Sequence, residues 1–279
     1  MFQRKGGSVA YIFNVDMKTK IVYEDRSVLV CRKPAGLATQ TASGFQEDMV
    51  SELKNYLSGK AGEKNPYLGL IHRLDQPVEG LLVFGKTKNA AAALTGQLSG
   101  GRLRKQYLAV LEGVLEEKEG VLVDYLKKDG RSNLSAVVPK GDSAAKRAEL
   151  SYRLLAAHED CCLAQIEIAT GRHHQIRVQT AHAGHPLRND YKYGAWEARG
   201  YHETGRMSAP QEYFASPSGF AAQKRPTPQK EPAQQGGLAL CAYALSFEHP
   251  ADGRRMSFTV RPENPAFAEF ETEINKLQS

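Results

Sequence analysis

The sequence predicts an α+β protein built on a mainly antiparallel, mixed β-sheet. Apolar segments of strand length outnumber amphipathic helices, and they follow one another instead of alternating with helices. Such an order favours strands joined by hairpins over a parallel sheet with helical crossovers. The chain has 279 residues, of which 41% are hydrophobic, so it is long enough to bury a large core.

The first half of the chain predicts strands and helices with clear ends. An apolar run at 27–33 stops at Pro34, as a buried strand does, and a second run follows at 81–86. Thr87 is a suitable N-cap for a helix over 88–98, which the Ser-Gly-Gly sequence after it would end. A helix is also expected over 47–57, where the apolar residues share one face: Met49, Val50, Leu53, Tyr56 and Leu57.

The second half continues the sheet. Strands are predicted at 105–113, 120–126, 147–157, 161–169 and 256–262. A helix is expected over 171–184, and a C-terminal helix carries the apolar stripe Phe267, Phe270, Ile274 and Leu277. Residues 197–236 are rich in Pro, Gln, Ser and Gly and have no periodicity, so we expect a loop insertion there.

Composition limits the classes of function. The net charge of +6 and the pI near 9.0 fit a protein that contacts phosphates, and equally an ordinary basic enzyme. Cations cluster at 101–105, 127–131 and 140–147. No apolar run is long enough to cross a bilayer and the first residues lack the apolar core of a secretory signal, so we expect a cytoplasmic protein without membrane contact. The four cysteines lack zinc spacing and predict reduced, mostly buried thiols.

One aspartate has the setting of a reactive group. Asp75 lies just before Gln76-Pro77, which enforces an extended or turned backbone, and an apolar strand follows. A carboxylate on a loop that a strand holds is well placed to meet a ligand. The spacing alone leaves three roles open, namely a nucleophile, a general base or the ion-pair partner of a nearby arginine.

Five blocks, in order along residues 20–260, carry a family resemblance. The block at 72–80 matches H-R-L-D-x-x-x-x-G, and the block at 171–194 matches G-R-x-H-Q-I-R followed by G-x-P-x-x-x-D-x-x-Y-G. The segments at 23–39, 104–113 and 240–250 match the strands that surround these motifs. In these residues the chain resembles the RluA family of RNA pseudouridine synthases.

The resemblance implies a fold and an activity. The expected fold is a long mixed sheet bent into two lobes, with flanking helices and loops and the active cleft across its middle. Residues 20–279 would form a single catalytic domain after an N-terminal extension at 1–19, without an S4-type domain. The expected activity is isomerisation of specific uridines in structured ribosomal or transfer RNA to pseudouridine, by a monomer that needs no metal and no organic cofactor.

The resemblance also implies roles for single residues. Asp75 corresponds to the catalytic carboxylate, Tyr107 would stack on a flipped uracil, and Arg177 would pair with Asp75 through a bidentate guanidinium. Arg73 is suited to fill the gap that a flipped base leaves. Histidine spacing does not favour a metal site, so polar or RNA-facing roles are expected there. The residues expected to bind RNA or the base are His72, Arg73, Leu74, Lys105, Arg172, His174, Gln175 and Ile176.

Two positions depart from the family pattern. Glu79 stands where many relatives have a small hydroxyl residue, and Cys241 stands where they usually have histidine. A second carboxylate could raise the pKa of Asp75 or repel phosphate, unless it points away or finds a cation. Two alternatives stay open. Glu79 and the insertion at 197–236 suggest a catalytically weak or inactive RNA-binding factor on the same fold, and the Asp and His residues alone suggest a carboxylate-dependent hydrolase on an unrelated fold.

Overall fold

The structure, a computed structural model, describes residues 17–41, 46–61, 64–194 and 236–277. These residues contain one eleven-stranded sheet. Its strands are β1 (Lys20–Glu24), β2 (Val28–Lys33), β3 (Gly69–Leu70), β4 (Glu79–Gly85), β5 (Arg104–Glu112), β6 (Glu119–Asp129), β7 (Leu134–Val137), β8 (Lys146–Ala157), β9 (Cys161–Ile168), β10 (Leu240–Glu248) and β11 (Arg255–Thr259). The α+β class expected from the sequence is confirmed.

Strand β10 occupies the centre of the sheet. The order is β1-β2-β4-β10-β5-β9-β8-β6-β7, with β3 paired to β4 and β11 paired to β10. Strands β10 and β4 run parallel, whereas the other strand pairs are antiparallel. One lobe contains β1, β2 and β4, the other contains β5 to β9, and β10 joins them.

Gly80 permits the close approach of β4 and β10. Its φ of +126° lies in a region that residues with a side chain rarely adopt, and a Cβ at this position would lie 2.4 Å from the carbonyl oxygen of Ala242. The glycine that ends the H-R-L-D-x-x-x-x-G motif is therefore required where the lobes join.

The helices lie where the sequence indicates, with two changes. They are α1 (Met49–Ala61), α2 (Lys88–Ser99), α3 (Gln175–His182) and α4 (Glu271–Lys276), with a 3₁₀ turn at Pro265–Phe270 before α4. Thr87 caps α2 by accepting a hydrogen bond from the backbone N–H of Ala90. Helix α3 starts later than expected because His174 has a left-handed φ of +52°. The expected C-terminal helix is 3₁₀ over its first half.

The core fills both faces of the sheet. One large cluster includes the apolar side of α1, and two smaller ones lie under α2 and under the C-terminal segment. All four cysteines are buried and free of disulfide bonds, as expected. Within the described ranges, no helix combines the length and the apolar character that a membrane span needs. The predicted insertion at 197–236, apart from its last residue, lies outside the described residues, as do residues 1–16 of the predicted extension.

Candidate active site

The loop that carries Asp75 is anchored on the segment that follows β2. Thr39 Oγ1 donates to the carbonyl of Leu74 at 2.9 Å and accepts from its N–H at 3.2 Å. The Nζ of Lys33, which is fully buried, donates to the carbonyls of Pro34, Leu37 and Gln76 at 2.9, 2.6 and 2.9 Å. These bonds fix the backbone on both sides of Asp75.

Asp75 itself is only partly enclosed. Its side chain keeps 30% of its surface exposed, so a ligand can reach the carboxylate. Burial raises the pKa of this carboxyl above its usual value, and the nearby Arg177 opposes that rise without cancelling it. A carboxylate that is less stable in its ionised form is a better base than one at the surface.

The bidentate partner of Arg177 is Asp190, and this corrects the pairing expected from the sequence. Arg177 donates from Nε and Nη2 to the two oxygens of Asp190 at 2.7 and 2.6 Å. Its Nη1 lies 3.6 Å from Oδ2 of Asp75. Asp190 is buried and also accepts from the backbone N–H groups of Lys192 and Tyr193, so four donors converge on it. The guanidinium is therefore fixed by Asp190 and presents one remaining edge to Asp75.

A histidine and a tyrosine complete the polar side of the site. The Nε2 of His174 lies 3.6 Å from Oδ2 of Asp75, and its Nδ1 lies 2.7 Å from the hydroxyl of Tyr193. That hydroxyl also accepts from the backbone N–H of Ser135, at 2.8 Å, on the β6–β7 hairpin. The centre of the Tyr193 ring lies 5.3 Å from Cζ of Arg177. The hairpin is thereby tied to the residues around Asp75.

The apolar wall of the site consists of three predicted residues. Leu74, Tyr107 and Ile176 are buried and belong to the same core cluster. Burial and then the charge of Asp75 raise the pKa of Tyr107, so the ring lies within electrostatic reach of the carboxylate and its hydroxyl stays protonated. The structure brings Asp75, Tyr107 and Arg177 together, whereas their catalytic roles stay predictions.

His72 and Lys105 lie together beneath the Asp75 loop. His72 is buried, and neither of its ring nitrogens has a hydrogen-bond partner in the described part of the chain. Burial and the charge of Lys105 hold the pKa of His72 well below its usual value. Burial also lowers the pKa of Lys105 to about 8. Contact with RNA stays a prediction for both side chains.

Cations line the mouth of the site. Arg73 and Lys128 are exposed, and together with Lys192 they act on the electrostatics of His173 beside the site. Among the described residues, none of these three cations has a carboxylate within ion-pair distance. In contrast, several cations of the three sequence clusters are paired with carboxylates: Arg102, Arg104, Lys127 and Arg147.

Two of the residues expected to bind RNA have hydrogen-bond partners within the protein. Gln175 is buried, its Nε2 donates to the carbonyl of Glu149, and its Oε1 accepts from Thr170 and from the N–H of Arg172. The amide makes three hydrogen bonds within the protein, so its geometry favours a structural role over contact with RNA. Arg172 is exposed and donates to the carbonyl of Arg147.

The carboxylate of Glu79 is bound by a cation and by backbone N–H groups. It binds Nη2 of Arg32 at 2.7 Å and accepts from the backbone N–H groups of Glu263 and Asn264 at 3.0 Å each. Cys241, the other departure from the family pattern, pairs with Glu79 in the register of β10 and β4. The two departures are thus neighbours in a buried structural contact.

Sequence reasoning missed four residues that shape the site. Asp190 and Tyr193 lie in the D-x-x-Y-G motif and Lys33 lies in the first matching block, so their motif positions were a usable signal. Ser135 had none, because the short strand β7 was not predicted. Within the described ranges, no group of three or more His, Cys, Asp or Glu side chains could hold a metal ion.

Comparisons with known proteins show the family to which the chain is related. A family model described as RNA pseudouridylate synthase matches residues 27–182. The chain is 32% identical over 244 residues to the ribosomal large subunit pseudouridine synthase D of Pseudomonas aeruginosa, an alignment that covers 87% of this chain and 68% of that protein. It is 29% identical over 248 residues to the protein of the same name from Zymomonas mobilis, covering 87% and 69%.

Solved structures show the same fold. Human RNA Pseudouridylate Synthase Domain Containing 4 superposes with a TM-score of 0.66 at 20% identity, over 92% of this chain and 93% of that one. Human RNA Pseudouridylate Synthase Domain Containing 1 gives a TM-score of 0.60 at 20% identity, over 91% and 87%. At this identity the likeness concerns the fold.

Proposed function

Because the chain belongs to the RNA pseudouridylate synthase family, we propose that its substrate is uridine in the RNA of the large ribosomal subunit, with Asp75 as the catalytic carboxylate. Membership makes the protein an isomerase that acts on RNA. The printed names of its relatives favour ribosomal RNA, and transfer RNA stays the second predicted substrate. A cytoplasmic location and a monomeric state also stay predictions.

The observation that carries the assignment is the setting of Asp75. A partly exposed carboxylate with a raised pKa lies beside a buried tyrosine and an arginine whose other edge is already bound. Converting uridine to pseudouridine breaks the N1–C1′ bond, forms a C5–C1′ bond, releases the C5 proton to solvent and adds a proton at N1. A carboxylate in this position can attack as a nucleophile or remove the C5 proton as a base.

The apolar wall of the site suits a flat base. Tyr107 provides a ring on which uracil can stack, and Leu74 and Ile176 continue the same apolar surface. A uracil must leave its stack before it can turn, because neighbouring bases in a helix prevent the rotation. We propose that the side chain of Arg73 fills the gap that the flipped nucleotide leaves. Arg73 is exposed at the mouth and has no carboxylate partner among the described residues.

One of the two observations that suggested an inactive RNA-binding factor no longer supports it. This alternative was suggested by Glu79 and by the segment at 197–236. The carboxylate of Glu79 is bound by Arg32 and by two backbone N–H groups, so its charge is paired. The segment lies outside the described residues apart from its last residue.

Tritium release tests the assignment. The wild-type protein is expected to release tritium from transcripts of large-subunit ribosomal RNA labelled at C5 of uridine, and Asp75→Asn is expected to release none above background. The matched control is Asp160→Asn, at an exposed aspartate between β8 and β9. Equal release from Asp75→Asn and wild type would show the catalytic assignment to be wrong. Transcripts of transfer RNA in the same assay identify the substrate class.

A further inference from the structure

The hydroxyl of Tyr193 determines the tautomer of His174. The tyrosine oxygen already accepts the backbone N–H of Ser135 at 2.8 Å, and its single proton needs an acceptor. The Nδ1 of His174, at 2.7 Å, provides that acceptor. An accepting Nδ1 carries no proton, so a neutral imidazole in this position carries its proton on Nε2.

The other ring nitrogen faces the reactive carboxylate. His174 Nε2 lies 3.6 Å from Oδ2 of Asp75, and Nη1 of Arg177 lies 3.6 Å from the same oxygen. An ionised carboxylate only accepts hydrogen bonds, so a protonated Nε2 is the complementary group. Contacts of this length commonly shorten to hydrogen bonds once substrate closes the site.

The surroundings keep the imidazole neutral. Burial, followed by the charges of Arg177, His173, Lys192 and Lys128, lowers the pKa of His174 to about 2. These groups come from α3, from the segments before and after it and from β6. Among the described residues, Asp75 is the carboxylate within ion-pair distance of the ring. His173 stacks on His174 with 3.8 Å between the ring centres.

We propose that His174 is a positioning residue for Asp75, a neutral imidazole that directs its Nε2–H at the carboxylate because Tyr193 occupies its Nδ1. The left-handed backbone at His174, with φ of +52°, turns the ring toward the site before α3 begins. The chain Ser135–Tyr193–His174–Asp75 thereby connects the β6–β7 hairpin to the reactive group. This inference rests on the proposed function of Asp75.

Two substitutions separate the two nitrogens. In His174→Gln the side-chain amide nitrogen reaches the position of Nε2, so the donor to Asp75 is retained. In His174→Asn the shorter amide reaches the position of Nδ1, so the contact with Tyr193 is retained and the donor is lost. The backbone has the opposite preference, since asparagine adopts positive φ more readily than glutamine.

The expected order of activity is therefore the reverse of the order of backbone fit. We expect His174→Asn to lower kcat for tritium release by about 10- to 100-fold, with KM nearly unchanged, because a charge-assisted hydrogen bond is lost. His174→Gln is expected to keep kcat within about 3-fold of wild type, within the spread of such contacts. The acid limb of kcat/KM should move to higher pH in His174→Asn only, because a lost donor raises the pKa of Asp75 further.

The tautomer has its own readout. ¹⁵N NMR of the folded wild-type protein should show His174 protonated on Nε2 at neutral pH, and this holds whether or not the assigned RNA is the substrate. A protonated Nδ1, or equal losses of kcat in both variants with an unmoved acid limb, would overturn the proposal. If either variant fails to fold, Tyr193→Phe replaces it. We expect this variant to have a lower kcat, and an unchanged kcat would contradict the proposal. Absence of tritium release from the wild-type protein would instead contradict the proposed function.

Discussion

Asp190 holds Arg177 by two hydrogen bonds of 2.7 and 2.6 Å and thereby sets the one edge of the guanidinium that reaches Asp75. One arginine serves two carboxylates unequally. Asp190 forms a buried, bidentate ion pair with the guanidinium, whereas Asp75 lies 3.6 Å from it. A fully paired arginine would depress the pKa of Asp75, whereas this shared one leaves that pKa raised.

Removing the charge of Asp190 tests this arrangement. Asp190→Asn leaves a buried guanidinium without its bidentate partner, so we expect the free energy of unfolding to fall by about 3–5 kcal/mol. Urea denaturation measures the loss. The control is Glu248→Gln, which breaks the exposed pair with Arg102 and should cost less than about 1 kcal/mol. Equal losses in the two variants would argue against a structural Asp190–Arg177 pair.

Asp75 is expected to reduce stability at neutral pH. Its pKa is raised in the folded state, so the folded protein binds more protons than the unfolded chain between the two pKa values. Stability therefore falls as pH rises through the raised pKa. Asp75→Asn should unfold at higher urea concentration than wild type at pH 7, and the difference should shrink toward zero below the usual pKa of aspartate. A variant that is less stable than wild type at pH 7 would contradict the sign.

Lys33 should matter for both stability and rate. Lys33→Met removes the donor of three hydrogen bonds and leaves the carbonyls of Pro34, Leu37 and Gln76 without that partner. We expect a loss of at least about 2 kcal/mol in unfolding free energy, and a lower kcat because the Asp75 loop loosens.

Lys86→Met is the matched control for Lys33. Lys86 follows β4, at the opposite end of that strand from Asp75, and binds Glu24 and the carbonyl of Asp25. This variant should lose stability and keep kcat. A normal kcat in both variants would show that Lys33 does not act on the site.

Glu79 should affect folding and leave catalysis unchanged. The side chains of Arg32 and Glu79 are 10% and 4% exposed, so Glu79→Gln breaks a buried ion pair and should cost about 3–5 kcal/mol. At a temperature where the variant is folded, kcat should equal that of wild type. A changed kcat at unchanged KM would mean that Glu79 reaches Asp75 after all.

The cations at the mouth predict a change in salt dependence. Each neutralised phosphate of single-stranded RNA contributes about 0.7 to the slope of log K against log salt. Arg73→Gln and Lys128→Gln should each lower that slope by about this amount, measured by fluorescence anisotropy with Asp75→Asn protein. Lys60, on α1, is already paired with Glu24, so Lys60→Gln should leave the slope unchanged. An unchanged slope in the Arg73 and Lys128 variants would mean that their side chains do not contact phosphate.

The sequence was sufficient where local pattern determines structure. Strands with continuous apolar runs such as β2, and a helix with a threonine cap such as α2, were predicted to within about two residues. The short strands β1, β3 and β7 were not, because their two to five residues hold too little pattern. Strand β11 is equally short, and it was predicted because Pro262 marks the end of its run. The start of α3 depends on a left-handed backbone at His174, which its side chain tolerates without requiring.

The active site also has features that the sequence predicted and features that it could not predict. The motif identified Asp75, Tyr107 and Arg177 as neighbours, and the structure brings them together. It could not say which carboxylate Arg177 pairs with, since Asp75 and Asp190 carry the same side chain and only packing decides between them. The pairing of Glu79 with Arg32 also joins residues of different strands, and no local pattern indicates such a contact.

Because β10 lies between β4 and β5, the active site can assemble only after β10 has been synthesised. Asp75 precedes β4 and Tyr107 lies on β5, and these two strands meet only through β10, whose residues follow both by more than a hundred positions. During synthesis the reactive residues emerge first and stay apart until β10 enters the sheet. A nascent chain that stops before Leu240 would contain Asp75, Tyr107 and Arg177 and still be inactive, so activity requires synthesis to continue through β10.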